Sequence, residues 1–407
     1  CCVFATACVA FVARLDTLGR WAAILNGKST GGVFMRVGVP KEIKNHEYRA
    51  GLTPDSVREL VHRGHDVFVE TGTGDAIGFT DDLYINSGAE VVPDAAGLFD
   101  SADLIIKVKE PQPCEVELLT PRHTLFTYLH LAPVKPLTDD LLASGATCIA
   151  YETVTDSAGR LPLLAPMSEI AGRMAVQAGA HSLEMAAGGR GVLLSGAAGV
   201  PAAEVIILGG GVVGSNALAV AVGMGARVTV LDTSMNRLRE LDSQYGNRIS
   251  TVYSTRTALD EHLARADLIV GAVLLPGASA PKLIKHSHLH SMKRGSVIVD
   301  VAIDQGGCAE TSRPTTHESP VFIEENVVHY CVANMPGAVA RTSTLALNNA
   351  TLSFILALAN HGVKEALVAD SNLLNGLNVY RGELVSPEVA TSQNRAFSDR
   401  HRLLSKH

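Results

Sequence analysis

The chain is predicted to be an α/β protein made of two Rossmann-like units, and three observations carry the prediction. Residues 203–232 read strand, glycine turn, helix, strand and acid in that order. Residues 35–165 alternate short apolar strands with helical stretches, the pattern of a parallel sheet. Residues 344–360 form a helix too apolar to stand alone, so it must return onto one of the units.

In chain order, residues 1–34 do not match the rest of the chain. Cys1 to Ala13 is apolar, yet it lacks a basic leader and a small-residue cleavage site. The expectation is therefore that 1–34 is an extension or a mis-set start, and that the native protein begins at Met35. The first strand is then RVGVP, followed by a helix from Pro54 to Gly64, the strand DVFVE, a helical run from Thr80 to Ser87, and the runs AEVV, DLIIKV, TLFTYL and ATCIAYE. This unit, 35–165, carries no glycine fingerprint and suits a substrate better than a dinucleotide. A helix from Met167 to about Ala187 comes next, with Ser168 as N-cap and Gly188-Gly189 as its stop.

The second unit, 166–338, holds the fingerprint. Glu204 to Leu208 is a β-branched apolar run that ends on glycines. Gly209 makes the tight turn, Gly211 lets backbone approach a pyrophosphate, and Gly214 lets helix pack on strand. The helix that opens there aims free N–H groups at the phosphates. A second strand ends in Asp232, close to the spacing of the acid that holds both ribose hydroxyls. Its charge opposes a 2′-phosphate, so NAD is expected over NADP. The alternation continues through RADLIVGAVL and SVIVDVAID to about Ala333, and residues 339–407 are expected to be helices that return to the first unit.

Composition narrows the class of partner. Of 407 residues 47% are hydrophobic and 18% charged, ample for large cores. A net charge of −7 with no basic run argues against nucleic acid and anionic membrane surfaces, and no apolar run reaches the ~18 residues of a membrane span. The seven cysteines contain no C-x-x-C pair, and the four beyond the N-terminal segment read as reduced thiols of a cytoplasmic enzyme.

Four polar constellations fall at strand ends, where open α/β sheets place ligands. The loop Lys41 to Pro54 offers Arg49 as a bidentate carboxylate clamp, or is simply a solvated loop. The run Asp103 to Pro111 delivers Lys107 and Lys109 on one face, as an active-site lysine or as snorkelling surface residues. His130 ends an apolar strand, as a proton carrier or a structural histidine. Asp304 leaves a hydrophobic strand into Gly306-Gly307, working near the nicotinamide or making the turn. His286, His288 and His290 would form a metal triad only on a strand. Among flanking lysines they read as an exposed helix, so no metal is expected.

With these residues collected, the chain resembles the L-alanine dehydrogenases of the alanine dehydrogenase/pyridine nucleotide transhydrogenase family. The resemblance spans Met35 to about residue 395 through RAGLTP, KVKEP, YLHLAP, MSEIAGRMA, LGGGVVG, VDVAIDQGG and VANMPGAV, in family order. Gly210 stands where some members carry alanine, and residues 1–34 have no counterpart. The resemblance implies a substrate domain formed by both chain ends, a nucleotide domain inserted between, a homohexamer, and conversion of L-alanine, NAD and water to pyruvate, ammonium and NADH. It further implies that Arg49 and Lys109 bind pyruvate, that His130 and Asp304 handle protons, and that Ser168, Asp232, Asn334 and Met335 contact NAD. Two alternatives stand beside it: the soluble NAD-binding component of a proton-translocating transhydrogenase, and a saccharopine- or opine-type dehydrogenase. Against the first, Asp304 stands where the transhydrogenase loop carries a glutamate.

Overall fold

The computed structural model describes residues 33–273 and 280–406. The expectation for 1–34 thus concerns a segment that, up to residue 32, lies outside the described residues. Six strands, β1 (Arg36–Val39), β2 (Asp66–Glu70), β3 (Glu90–Val92), β4 (Leu104–Ile106), β5 (Thr124–Thr127) and β6 (Thr147–Ala150), stand in the order β3-β2-β1-β4-β5-β6. All their pairings are parallel.

A second sheet repeats the order with β7 (Glu204–Leu208), β8 (Arg227–Asp232), β9 (Ile249–Tyr253), β10 (Leu268–Gly271), β11 (Val297–Asp300), β12 (Val321–Glu324) and β13 (Val327–Tyr330). It runs β9-β8-β7-β10-β11-β13, parallel throughout, with β12 added antiparallel at the edge. Every residue of β4, β5, β6, β10 and β11 is buried, as parallel strands covered on both faces require. In both sheets the order reverses beside the first strand. The crevice above the strand ends at that point is where such sheets bind ligands.

The C-terminal part differs from the all-helical expectation. β14 (Leu377–Tyr380) pairs antiparallel with β6, and β15 (Glu383–Leu384) with β14, which extends the first sheet to eight strands. Strands of four and two residues leave too few positions for an alternating pattern to register.

Two helices connect the sheets. The first runs Ala165–Ser182 with Pro166 near its start, so Ser168 lies inside the first turn and is not the N-cap. The second is Ala340–His361, and the stretch Met335–His361 is long and apolar enough by length and composition to cross a membrane, contrary to the expectation. Half of its most apolar window is buried inside the protein, where it serves as a core helix. Its polar residues explain the seating. Thr344 Oγ1 accepts Ala50 N–H at 3.2 Å, and Asn348 accepts Thr53 N–H at 2.8 Å while donating to Gly51 O at 3.1 Å. Each such buried hydrogen bond is worth about 1 kcal/mol net, and leaving one unmade costs more. These bonds fix the loop that carries Arg49.

Candidate active site

On the nucleotide side, β7 delivers its glycines as the spacing predicts. Gly209 has φ +97°, and a Cβ there would stand 2.8 Å from Ala272 O. A Cβ on Gly214 would lie 1.8 Å from Gly209 O, so only glycine lets the helix Val212–Gly223 start this close to the strand. A Cβ on Gly211 would meet nothing within 4 Å, which leaves its backbone open to a ligand. Asp232 closes β8, where Oδ2 accepts Gly210 N–H and Oδ1 accepts Ser234 N–H, each at 2.7 Å. An open turn at a helix N-terminus beside a fixed carboxylate fits a dinucleotide.

Arg237, which the sequence reading passes over, braces this turn. Its Nε donates to Gly210 O at 2.6 Å and its Nη2 to Ser215 Oγ at 2.5 Å. Its signal was an arginine early in the helix that follows the ribose acid.

The turn beside Asp304 is built by its neighbour. Asp300, at the end of β11 and fully buried, accepts Ala302 N–H at 3.1 Å, Cys308 N–H at 2.8 Å and Ser312 Oγ–H at 2.5 Å. That carboxylate builds the turn. Asp304 stands exposed in the 3-10 segment Val301–Gln305, and its carboxylate has no hydrogen bond or ion pair among the described residues.

The other candidates follow strands β1, β4 and β5 of the first sheet. Arg49, on the loop after β1, is 2% exposed. Its Nε and Nη2 grip Glu47 at 2.7 and 2.6 Å, Nη2 also reaches Asn334 Oδ1 at 3.0 Å, and Nη1 rests 3.0 Å from Met167 Sδ. Burial opposes the Arg49 charge, but Glu47 more than compensates and holds the guanidinium above its ordinary value. Glu47 is drawn down by the same contact against its own burial. A solvated loop does not describe this residue.

The two lysines after β4 do not share an environment, because the strand ends at Ile106. Lys107 is fully buried between Glu115 Oε1 at 2.6 Å and Glu42 Oε2 at 3.3 Å. Burial works against its charge, and the two carboxylates raise it. Lys109 is half-buried, and burial together with Arg49 lowers it below the ordinary lysine value. Lys107 is locked in a buried ion cluster, and Lys109 stands outside it. Glu42 fixes both, since its Oε1 accepts Val108 N–H at 2.6 Å and Lys109 N–H at 3.2 Å.

His130 follows β5 with φ +48° and a half-exposed ring stacked on Tyr128, centroids 5.8 Å apart and planes 3° apart. Tyr128 is itself anchored, its hydroxyl donating to Leu163 O at 2.5 Å.

The fold thus brings Arg49, Asn334 and Met167 into one network across the seam, with Ser168 and Met335 as chain neighbours and Lys109 within electrostatic reach of Arg49. Asp232 ends a strand of the other sheet, Asp304 and the glycines follow strands of it, and none of them makes a hydrogen bond or ion pair with Arg49, Lys109 or His130 among the described residues. Cavities of about 280 and 600 Å³ lie along the second half of the helix Ala165–Ser182, and neither is lined by any of these residues. His286 and His288 lie in the short helix His286–Leu289, His288 pairs with Asp260 at 3.0 Å, and no metal-ligating cluster occurs among the described residues.

Two family models match the chain: "Alanine dehydrogenase/PNT, N-terminal domain" over residues 38–171 and "Alanine dehydrogenase/PNT, C-terminal domain" over residues 175–387. The alanine dehydrogenase of Halomonas elongata is 60% identical over 356 residues, covering 88% of this chain and 96% of that protein. A solved L-alanine dehydrogenase superposes with a TM-score of 0.86 at 51% identity over 88% of this chain and 99% of its own. The transhydrogenase of Sinorhizobium meliloti superposes with a TM-score of 0.74 at 26% identity, over 86% of this chain and 99% of its own.

Proposed function

The chain belongs to the alanine dehydrogenase/PNT family, and we infer that it is an NAD-dependent L-alanine dehydrogenase. L-alanine, NAD⁺ and water give pyruvate, ammonium, NADH and a proton, in either direction. The observation that carries this reading is the pair Arg49 and Lys109 on the segments that follow β1 and β4, the strands flanking the switch point of one sheet, with Arg49 joined through Asn334 to the sheet that bears the glycine turn. An acidic protein must concentrate positive charge locally to hold a small carboxylate.

Bound NAD would supply the hydride acceptor, and the Gly209–Gly214 turn and Asp232 are the residues that would hold its pyrophosphate and ribose. In the same reading Ser168, Asn334 and Met335 would contact it. Arg49 spends Nε and Nη2 on Glu47 and Asn334, so Nη1, which otherwise rests on the Met167 sulfur, is the donor left for the substrate carboxylate. Lys109 donates to the oxygen of pyruvate, and as a cation it polarises that carbonyl.

In deamination His130 takes a proton from the alanine ammonium and, with its ring half exposed, passes it to solvent. Departure of the hydride leaves an iminium, whose charge Asp304 balances. Water then adds to the carbon while His130 removes its proton. That proton moves to nitrogen, the C–N bond breaks, and the hydroxyl proton leaves with the nitrogen as ammonium while the carbonyl forms.

Assembly as a homohexamer and a cytoplasmic location belong to the same reading, supported by the family resemblance, and sedimentation tests the assembly. The test of the reaction is NADH oxidation with pyruvate, with and without ammonium. Dependence on ammonium supports the amino-acid dehydrogenase. Equal rates without ammonium would favour a hydroxy-acid reductase, and turnover only with lysine or ornithine in place of ammonium would favour the saccharopine or opine type.

A further inference from the structure

The left-handed backbone at His130 has a specific holder, and we propose that Glu152 is the positioning residue for the His130 imidazole. The inference rests on the reading of His130 as the proton carrier. Glu152 sits in the 3-10 turn Tyr151–Thr153 directly after β6, the strand beside β5. Its Oε1 accepts His130 N–H at 2.6 Å, and both its oxygens accept Leu129 N–H at 3.2 Å. Two successive N–H groups converging on one carboxylate form an anion-binding nest, a geometry that a left-handed residue makes available.

Histidine at φ +48° is uncommon, and such a conformation persists only where its surroundings over-determine it. The turn carries the side chain off the strand line and lays the ring flat on Tyr128. The Nδ1 edge then faces Glu152 Oε1 at 3.9 Å, and Nε2 is the edge turned away. Glu152 therefore fixes both the backbone from which the imidazole projects and the edge it offers to substrate. The pair lies in the substrate sheet, remote from the glycine turn, so its effect falls on turnover and spares cofactor binding.

The test uses the full-length enzyme in the amination direction, with E152A, E152Q, H130A and the double variant H130A/E152A. E152A should lower kcat by about 10- to 100-fold, the usual cost of a misaimed group, with the pyruvate KM and NADH affinity within about threefold of wild type. E152Q keeps a carbonyl oxygen for the His130 N–H and should recover to within about fivefold of wild type. On the H130A background E152A should cost nothing further, because both act through one group. An E152A kcat within about twofold of wild type, an E152Q as slow as E152A, or a full further loss in the double variant would overturn the assignment. Should E152A fail to fold, E152D replaces it, since the charge stays while the carboxylate withdraws from both N–H groups; the same kcat loss supports the proposal, and wild-type turnover overturns it. An H130A enzyme with normal turnover would overturn the proton-carrier reading and this inference with it, whereas a slow H130A beside a normal E152A removes this inference alone.

Discussion

Arg49 Nη2 donates to Asn334 Oδ1 at 3.0 Å across 285 residues of sequence, tying the loop after β1 to the chain after β13. Asn334 is also left-handed, with φ +61°, and its Nδ2 donates to Glu47 Oε2 at 3.2 Å. One side chain thus orients the Arg49–Glu47 pair from the nucleotide side of the seam. Asn334→Ala should weaken pyruvate and NADH together, each by about tenfold, the size of one hydrogen bond to a charged group. Pyruvate KM and NADH titration measure the two. A change in only one of them would confine Asn334 to that ligand.

Asp232→Ala should weaken NAD and relieve the exclusion of NADP. The carboxylate accepts Gly210 and Ser234 N–H groups with one oxygen each, which leaves lone pairs on both for the ribose hydroxyls. Titration with the two cofactors decides it. An unmoved NAD to NADP ratio would mean that the discrimination lies elsewhere on the turn.

A pH dependence of pyruvate binding is expected from Lys109. Burial and the neighbouring Arg49 depress it, so it loses its proton at a lower pH than a solvated lysine. In the proposed reading the protonated form binds the pyruvate oxygen, so pyruvate KM should rise with pH through a limb that lies below about 10.4, the ordinary lysine value. In Lys109→Arg, where the cation does not titrate in that range, the limb should vanish even if affinity is poorer. A limb that survives this substitution belongs to another group.

How far the sequence was legible depends on the range of the interaction. The glycine turn and Asp232 are local, all within one strand-turn-helix-strand unit, and they stand where the spacing predicts. Arg49, Lys109, His130 and Asp304 were readable as candidates because apolar strands announce their own ends, and ligands gather there. What surrounds them was not readable. Glu47, Glu152 and Asp300 are ordinary acids in sequence and become clamps only when a turn or a neighbouring strand closes on them. The lysine pair shows the same limit: a period-two pattern placed Lys107 and Lys109 on one face, but the strand ends at Ile106 and tertiary contacts separate them. The Ser168 helix start failed for a similar reason, since Pro166 had already opened the helix.

The buried cluster beneath Lys109 gives the last prediction. Lys107 is a single cation between Glu42 and Glu115, with all three side chains nearly or wholly inaccessible, and burial already raises Glu42. Lys107→Met keeps the bulk of the side chain and removes the charge, leaving two carboxylates buried without a counter-ion. Breaking a buried pair from one side costs about 3–5 kcal/mol, so urea unfolding at neutral pH should show a loss of that size. The dependence on pH has a definite sign. Glu42, already raised by burial, loses in the variant the lysine that holds it down, so the penalty is full above its folded value and shrinks as pH falls toward the unfolded value of about 4.3. Wild type and variant should therefore converge in stability on acidification from neutral to about pH 5. Adding Glu115→Gln to the variant should recover part of the loss at neutral pH, because only one uncompensated carboxylate then remains. A variant whose deficit is the same at every pH would show that lost packing, and not the unpaired carboxylates, sets the cost.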